Sequence, residues 1–195
     1  SIAHRGPDDS GIWVNEKIGL GIGHRRLSIL DLSAAGHQPM LSKSGRYLIV
    51  FNGEIYNHLE LRRKLESEER LSSKWHGLSD TETLIEAIAS WGLKKTLTLV
   101  SGMFAFALWD KEKQKLFLTR DHFGEKPLYW GLLPGYGIVF SSDLVALKGI
   151  KQFQKKISEE AVEAYKHLGY IPAPLCIYKD VHQLPPGNFI EISAG

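Results

Sequence analysis

The sequence predicts an α+β fold in which antiparallel strands are covered on both faces. Two observations carry this. The run Phe104-Ala-Phe-Ala-Leu-Trp109 is apolar on both sides of a strand: Phe104, Phe106 and Leu108 on one, Ala105, Ala107 and Trp109 on the other. A half-solvated antiparallel strand would alternate with polar residues, so this one must be covered on both sides; a second sheet and a helix layer are one arrangement that does so. The small alanines let one of those layers come close. In addition, Leu84, Ile85, Ile88 and Trp91 recur at helical spacing and form an apolar face that can supply a covering helix.

The elements follow in order. Ser1 to Gly11 is a polar turn around Gly6-Pro7. Residues 12–14 and 18–23 read as short strands joined at Asn15-Glu16, and His24 to Ile29 runs on into a loop through Gly36-His37-Gln38-Pro39. Tyr47 to Phe51 is an apolar run that reads as a buried strand. It is expected to end at a corner, Asn52-Gly53-Glu54, because Asn-Gly breaks strands and no second alternating strand follows. Asn57, with Glu60 three residues on, caps a helix whose Leu61 and Leu65 share a face. Ser79-Asp-Thr-Glu82 has the capping-box form before the second helix, and Gly92 is its natural stop. Lys115 to Arg120 returns as a hairpin from Phe104 to Asp110. Residues 128–131 and 138–141 add two short strands, 144–147 a helical turn, and Ser158 caps a short helix. The Pro-rich segments Gly169 to Pro174 and Leu184 to Gly187 read as semi-rigid connections.

Composition narrows the function. A hydrophobic content of 43% and a formal net charge of +2 describe a globular chain with no basic footprint for nucleic acid. No apolar run is long enough to span a bilayer, and no signal peptide is read at the start. The one cysteine, Cys176, excludes an internal disulfide and suits a cytoplasmic setting. Flanked by Leu175 and Ile177 near prolines, it reads as a buried, inert thiol. The eight histidines show no metal-ligand spacing, and no phosphate loop, dinucleotide fingerprint or nucleophile elbow is present.

Three places point to chemistry. At the Asn52-Gly53-Glu54 corner an amide, a glycine N–H and a carboxylate can face one spot, which is what an oxyanion hole needs; the alternative is a capped turn with a solvated Glu54. Of Arg25 and Arg26, one can point inward from a strand end, or both can lie at the surface. Asp80 either serves the helix dipole or anchors a substrate ammonium.

These motifs, taken together, resemble the glutaminase domain of glutamine-hydrolysing asparagine synthetases, which are class II, N-terminal-nucleophile glutamine amidotransferases. The matching segments include His4-Arg-Gly-Pro-Asp-Asp9, Gly23-His-Arg-Arg-Leu-Ser-Ile29, His37-Gln-Pro39, Phe51-Asn-Gly-Glu-Ile-Tyr-Asn57, Ser79-Asp-Thr-Glu82, Gly102 to Asp110, Arg120 to Tyr129, Phe140 to Leu144, Gly169 to Pro174 and Leu184 to Gly187. They run through essentially the whole chain in family order.

The resemblance implies a four-layer αββα sandwich: two antiparallel sheets face to face, flanked by helices. It implies hydrolysis of glutamine to glutamate, with ammonia passed to a synthetase domain that amidates aspartate; an acceptor from a sugar or polysaccharide pathway, or a non-catalytic module keeping the fold, are the alternatives. By motif, Asn52 and Gly53 resemble the oxyanion hole. Arg26 resembles the clamp on the glutamine carboxylate, and Asp80 and Glu54 the partners of its ammonium or amide. By the same resemblance the backbone around Leu27 and Ile29 would line this pocket, and Arg5 would support the nucleophile's surroundings. No metal or cofactor is expected in this segment; ATP and Mg belong with the synthetase domain. The expected partners are glutamine and that domain, with no nucleic acid or membrane, and a homodimer is compatible.

The chain departs from the family in lacking the N-terminal Met-Cys-Gly-Ile, whose Cys is the nucleophile with its own amine as base. Cys176 has no free amine beside it. The expected division is therefore residues 1–156 as an amidotransferase domain without its first strand and nucleophile, with 157–195 as its end and a linker toward an absent synthetase domain. Such a segment alone is expected to be inactive.

Overall fold

The computed structural model describes residues 2–28, 31, 33–68 and 74–193. It opens with a 3-10 turn, Ala3–Arg5, then a hairpin of β1 (Asp9–Asn15) and β2 (Leu20–Arg26). A second 3-10 turn at Ala34–Gly36 leads to β3 (Met40–Leu41), β4 (Tyr47–Ile55) and the helices α1 (His58–Ser67), α2 (Asp80–Trp91) and α3 (Leu93–Leu99). The remainder is β5 (Gly102–Asp110), β6 (Lys115–Arg120), β7 (Tyr129–Leu133), β8 (Gly137–Ser141), α4 (Leu144–Leu147), α5 (Glu159–Leu168), β9 (Val181–Gln183) and β10 (Phe189–Ser193).

The central sheet is antiparallel in the order β10-β6-β5-β4-β3. Its two faces divide as the alternation in β5 requires. Phe104, Phe106 and Leu108 join Ile49, Phe51 and Ile55 of β4 against Leu61 of α1 and Leu84, Ile85 and Ile88 of α2. On the opposite face Ala105, Ala107 and Trp109 join Leu48 and Val50 against Ile22 of β2 and Leu128 at the entry to β7. That second layer is the β1–β2 hairpin and a three-stranded sheet, β8-β7-β9. A third core, with Leu133, Val139 and Val181, closes the outer side of the smaller sheet under Leu147 of α4, Phe153 and Cys176. The layering is therefore helix, sheet, sheet, helix, as expected for the four-layer sandwich.

Three details correct the sequence reading. Strand β4 does not stop at Asn52. Asn52, Gly53 and Glu54 pair with Ala105, Phe104 and Met103, and the corner comes only after Ile55. Strand pairing outweighs the weak β preference of Asn and Gly because β5 is there to receive them. Asn57 precedes α1 but makes no cap: its Nδ2 donates to Leu99 O at 2.9 Å and its Oδ1 accepts from Ser101 N at 2.9 Å, so it ties α1 to the start of β5 instead. The capping box of α2 is half formed. Ser79 Oγ accepts from Thr81 N at 3.1 Å, while Glu82 turns away to accept from the N–H groups of His76 and Gly77. Within residues 157–195, β9 joins the smaller sheet and β10 edges the central one. Ser158 does cap α5, its Oγ accepting from Ala161 N at 3.2 Å. Among the described residues no helix is long and apolar enough to cross a membrane.

Candidate functional site

The site follows from the hydrogen-bond parity of β4. The Phe104 N–H donates to Asp121 Oδ2 and Phe104 O accepts from Asp121 N, so Phe104 turns its polar groups toward the β6 side. Its partner Gly53 must then turn its own N–H and C=O away from β5. The same parity holds for Tyr47, Ile49, Phe51 and Ile55. Strand β3 is two residues long and pairs only with Leu48 and Ile49, so beyond it β4 has an open edge.

Side chains fill most of that edge. Phe51 N donates to Gln38 Oε1 at 2.6 Å, and Ile55 N donates to Asp80 Oδ2 at 2.8 Å. Between them the N–H of Gly53 has no partner among the described residues. A Cβ at Gly53 would fall on Met103 O and lie 2.6 Å from Phe104 Cα, so only glycine lets the two strands approach here. Beside it, Asn52 Nδ2 is buried with no hydrogen-bond partner among the described residues. Two donors on adjacent residues are thus left open.

They face a cleft of about 260 Å³. Its lining brings together Arg5, Arg26, Leu27, Asn52, Gly53, Glu54 and Asp80, which are the sequence-predicted site residues apart from Ile29. Ile29 lies outside the described residues. A second cavity, about 230 Å³, runs between the sheets and shares Arg5, His24, Arg25, Phe51 and Asn52 with the cleft.

Each side chain is held differently. Asp80 is buried at the first turn of α2, and burial raises its carboxyl pKa above the ordinary Asp value despite the Ile55 N–H. Of the two roles open to it, helix-end residue and anchor, it also has a third, fastening α2 to β4. Arg26 is the inward member of the arginine pair, buried at the end of β2. Its Nη1 donates to Ser33 O at 2.9 Å and its Nη2 to Asp31 O. The loop that supplies these carbonyls is fixed by Asp31, which accepts from Ser33 N, Ser33 Oγ and Leu78 N. The Ser33 hydroxyl bond is the main reason the Asp31 carboxyl sits below its ordinary pKa. Arg25 instead donates through Nε to Gly6 O at 3.0 Å. Arg5 is more exposed: its Nη1 contacts Ser142 O and Asp143 Oδ2, both at 3.2 Å, and ties the N-terminal turn to the loop before α4. Glu54 and Lys126 complete the polar rim, both half-buried.

His24 and Gln38 are site residues that sequence reasoning passed over. Both stand inside quoted motifs, Gly23 to Ile29 and His37 to Pro39, which was the available signal. Gln38 stands in for a strand at the open edge. His24 Nε2 lies 3.1 Å from Phe51 O, and burial takes its pKa down to about 4. Cys176 is buried in the third core, and burial raises its thiol pKa. It is not part of the cleft.

Residues 1–195 match the family of glutamine amidotransferase domains. The chain is 38% identical, over 94% of its length, to a putative glutamine-hydrolysing asparagine synthetase of Methanocaldococcus jannaschii. It is 36% identical, over 98% of its length, to asparagine synthetase 1 of Bacillus subtilis, also described as glutamine-hydrolysing. It spans 38% and 29% of those two proteins. Among solved structures it resembles glutamine phosphoribosylpyrophosphate amidotransferase of B. subtilis, with a TM-score of 0.60 at 21% identity, covering 89% of this chain and 32% of that one. At that identity the likeness speaks for the fold.

Proposed function

Since the chain belongs to the glutamine amidotransferase domain family, we propose that its cleft binds L-glutamine and that it forms the glutamine-hydrolysing half of an asparagine synthetase. The observation that carries this reading is the pair of open donors, Asn52 Nδ2 and Gly53 N–H, at an edge where every neighbouring N–H is taken.

In this reading the glutamine side-chain carbonyl accepts from both donors. When a nucleophile attacks, negative charge grows on that oxygen, and donors already fixed in place stabilise it without reorganising. Asp80 has one oxygen on Ile55 N and can offer the other to the substrate ammonium; a cation there relieves the cost of its buried charge. Arg26 has donors beyond the two engaged by the loop carbonyls, and its fixed plane suits a carboxylate. Glu54 adds an acceptor at the rim. In this reading the nucleophile is an N-terminal cysteine of the family's kind. Ammonia leaves for a synthetase domain that holds ATP and Mg and activates aspartate. The identity of the curated relatives supports aspartate as the acceptor.

The test is calorimetric titration of L-glutamine into the chain and into an Asp80→Asn variant. Saturable binding by the wild type, weakened at least about tenfold by the variant, supports the reading. A folded chain that takes up no glutamine overturns it.

A further inference from the structure

His24 has one ring nitrogen committed and one bare. Its Nε2 faces the Phe51 carbonyl, which can only accept, so Nε2 carries the proton. Nδ1 is then a lone-pair acceptor, and it is buried with no partner among the described residues. A bare buried acceptor is costly unless something donates to it. The cost is placed where it can be recovered: His24 and Asn52 line the same two cavities, and Asn52 Nδ2 is a bare donor.

An unpaired acceptor beside unpaired donors is the complement of a primary carboxamide. We propose that His24 is a specificity residue that reads the amide NH₂ of glutamine: the NH₂ donates to His24 Nδ1 while the carbonyl accepts from Asn52 Nδ2 and Gly53 N–H. This rests on the reading of the cleft as a glutamine site. A γ-ester or a γ-carboxylate offers Nδ1 only lone pairs, so the site disfavours both. The low pKa of His24, about 4 through burial, keeps Nδ1 free of a proton at neutral pH. The role is selection of the amide; no proton transfer is assigned to the ring.

The ligands for the test are L-glutamine and L-glutamic acid γ-methyl ester, which keeps the carbonyl, lacks the N–H and adds a methyl. Calorimetry on the 195-residue chain should show the ester binding at least about fivefold more weakly than glutamine, the worth of one hydrogen bond. His24→Gln keeps a donor to Phe51 O at the Nε2 position and removes the Nδ1 acceptor; it should bind the two ligands with nearly equal affinity. His24→Asn places an amide oxygen near the Nδ1 position and should restore most of the preference. A His24→Gln protein that folds and keeps the wild-type preference overturns the inference, and so does a wild type that binds ester and glutamine alike; in both cases the glutamine site itself stands. If His24→Gln does not fold, the wild-type ligand comparison decides. Absence of glutamine binding by the wild type overturns the cleft reading and this inference with it.

Discussion

Asp80 Oδ2 accepts the Ile55 N–H at 2.8 Å, so the first turn of α2 is fastened to the open edge of β4 by a single carboxylate. Replacing that carboxylate separates its two duties. Asp80→Asn keeps an oxygen for Ile55 and removes a buried charge. Burial raises the Asp80 pKa in the folded chain, so ionised Asp80 opposes folding at neutral pH and the opposition fades as pH falls through the raised value. The variant should therefore melt no lower than wild type at pH 7, with any gain vanishing in acid, while glutamine affinity falls. Thermal melts across pH alongside titrations check both halves. In a full-length protein, glutamine-dependent synthesis should fall and ammonia-dependent synthesis survive.

Asn52→Ala removes one of two open donors. In a full-length, glutamine-hydrolysing protein carrying this domain, turnover should drop roughly a hundred- to a thousandfold, or about 2.7–4 kcal/mol. The glutamine KM should change far less, because the donor acts on charge that develops only in the transition state. Steady-state glutaminase kinetics with circular dichroism to confirm folding decides it. Near-normal turnover in a folded variant would make Asn52 a strand residue and nothing more.

Gly53→Ala should cost stability as well as activity. The added methyl meets the Met103 carbonyl and the Phe104 backbone, which belong to the facing strand and cannot swing aside. A loss of about 1–3 kcal/mol is expected, seen as a melting temperature lower by several degrees. A variant as stable as wild type would show that β4 and β5 can part there.

Asp121 is a stability residue. Fully buried, it accepts from the N–H groups of Phe104, Phe123, Glu125 and Lys126. Burial alone would raise its pKa, but these donors outweigh it and hold the carboxyl below the ordinary value. Its contribution is present above the unfolded-state pKa and lost as pH falls through the folded one. Asp121→Asn turns an NH₂ toward a backbone donor and should destabilise by about 1–3 kcal/mol at pH 7. The gap should narrow in acid, as the wild type itself protonates; a pH series of denaturant melts measures this.

Much of the architecture was legible because burial writes itself into periodicity. The alternation of Phe104 to Trp109 showed a strand covered on both faces, and Leu84, Ile85 and Ile88 showed the apolar face of the helix that covers one of them. Motifs gathered most of the cleft. What stayed hidden depends on partners distant in sequence. Asn52 and Gly53 look like a turn until β5 is seen beside them. Asn57 looks like a cap until Leu99 and Ser101 take its amide. His24 looks like a neighbour of two arginines, and only its bond to Phe51, 27 residues on, shows which nitrogen is spent.

The open edge of β4 also bears on how the protein keeps to itself. Unpaired strand edges invite other strands to zip on and seed aggregates. Here Gln38 and Asp80 block the N–H positions on either side of Gly53, so the gap is one peptide wide. An intruding strand needs a run of consecutive bonds to hold; a small polar molecule needs one. The same two side chains that frame the opening thus leave room for a single hydrogen bond and none for an intruding strand.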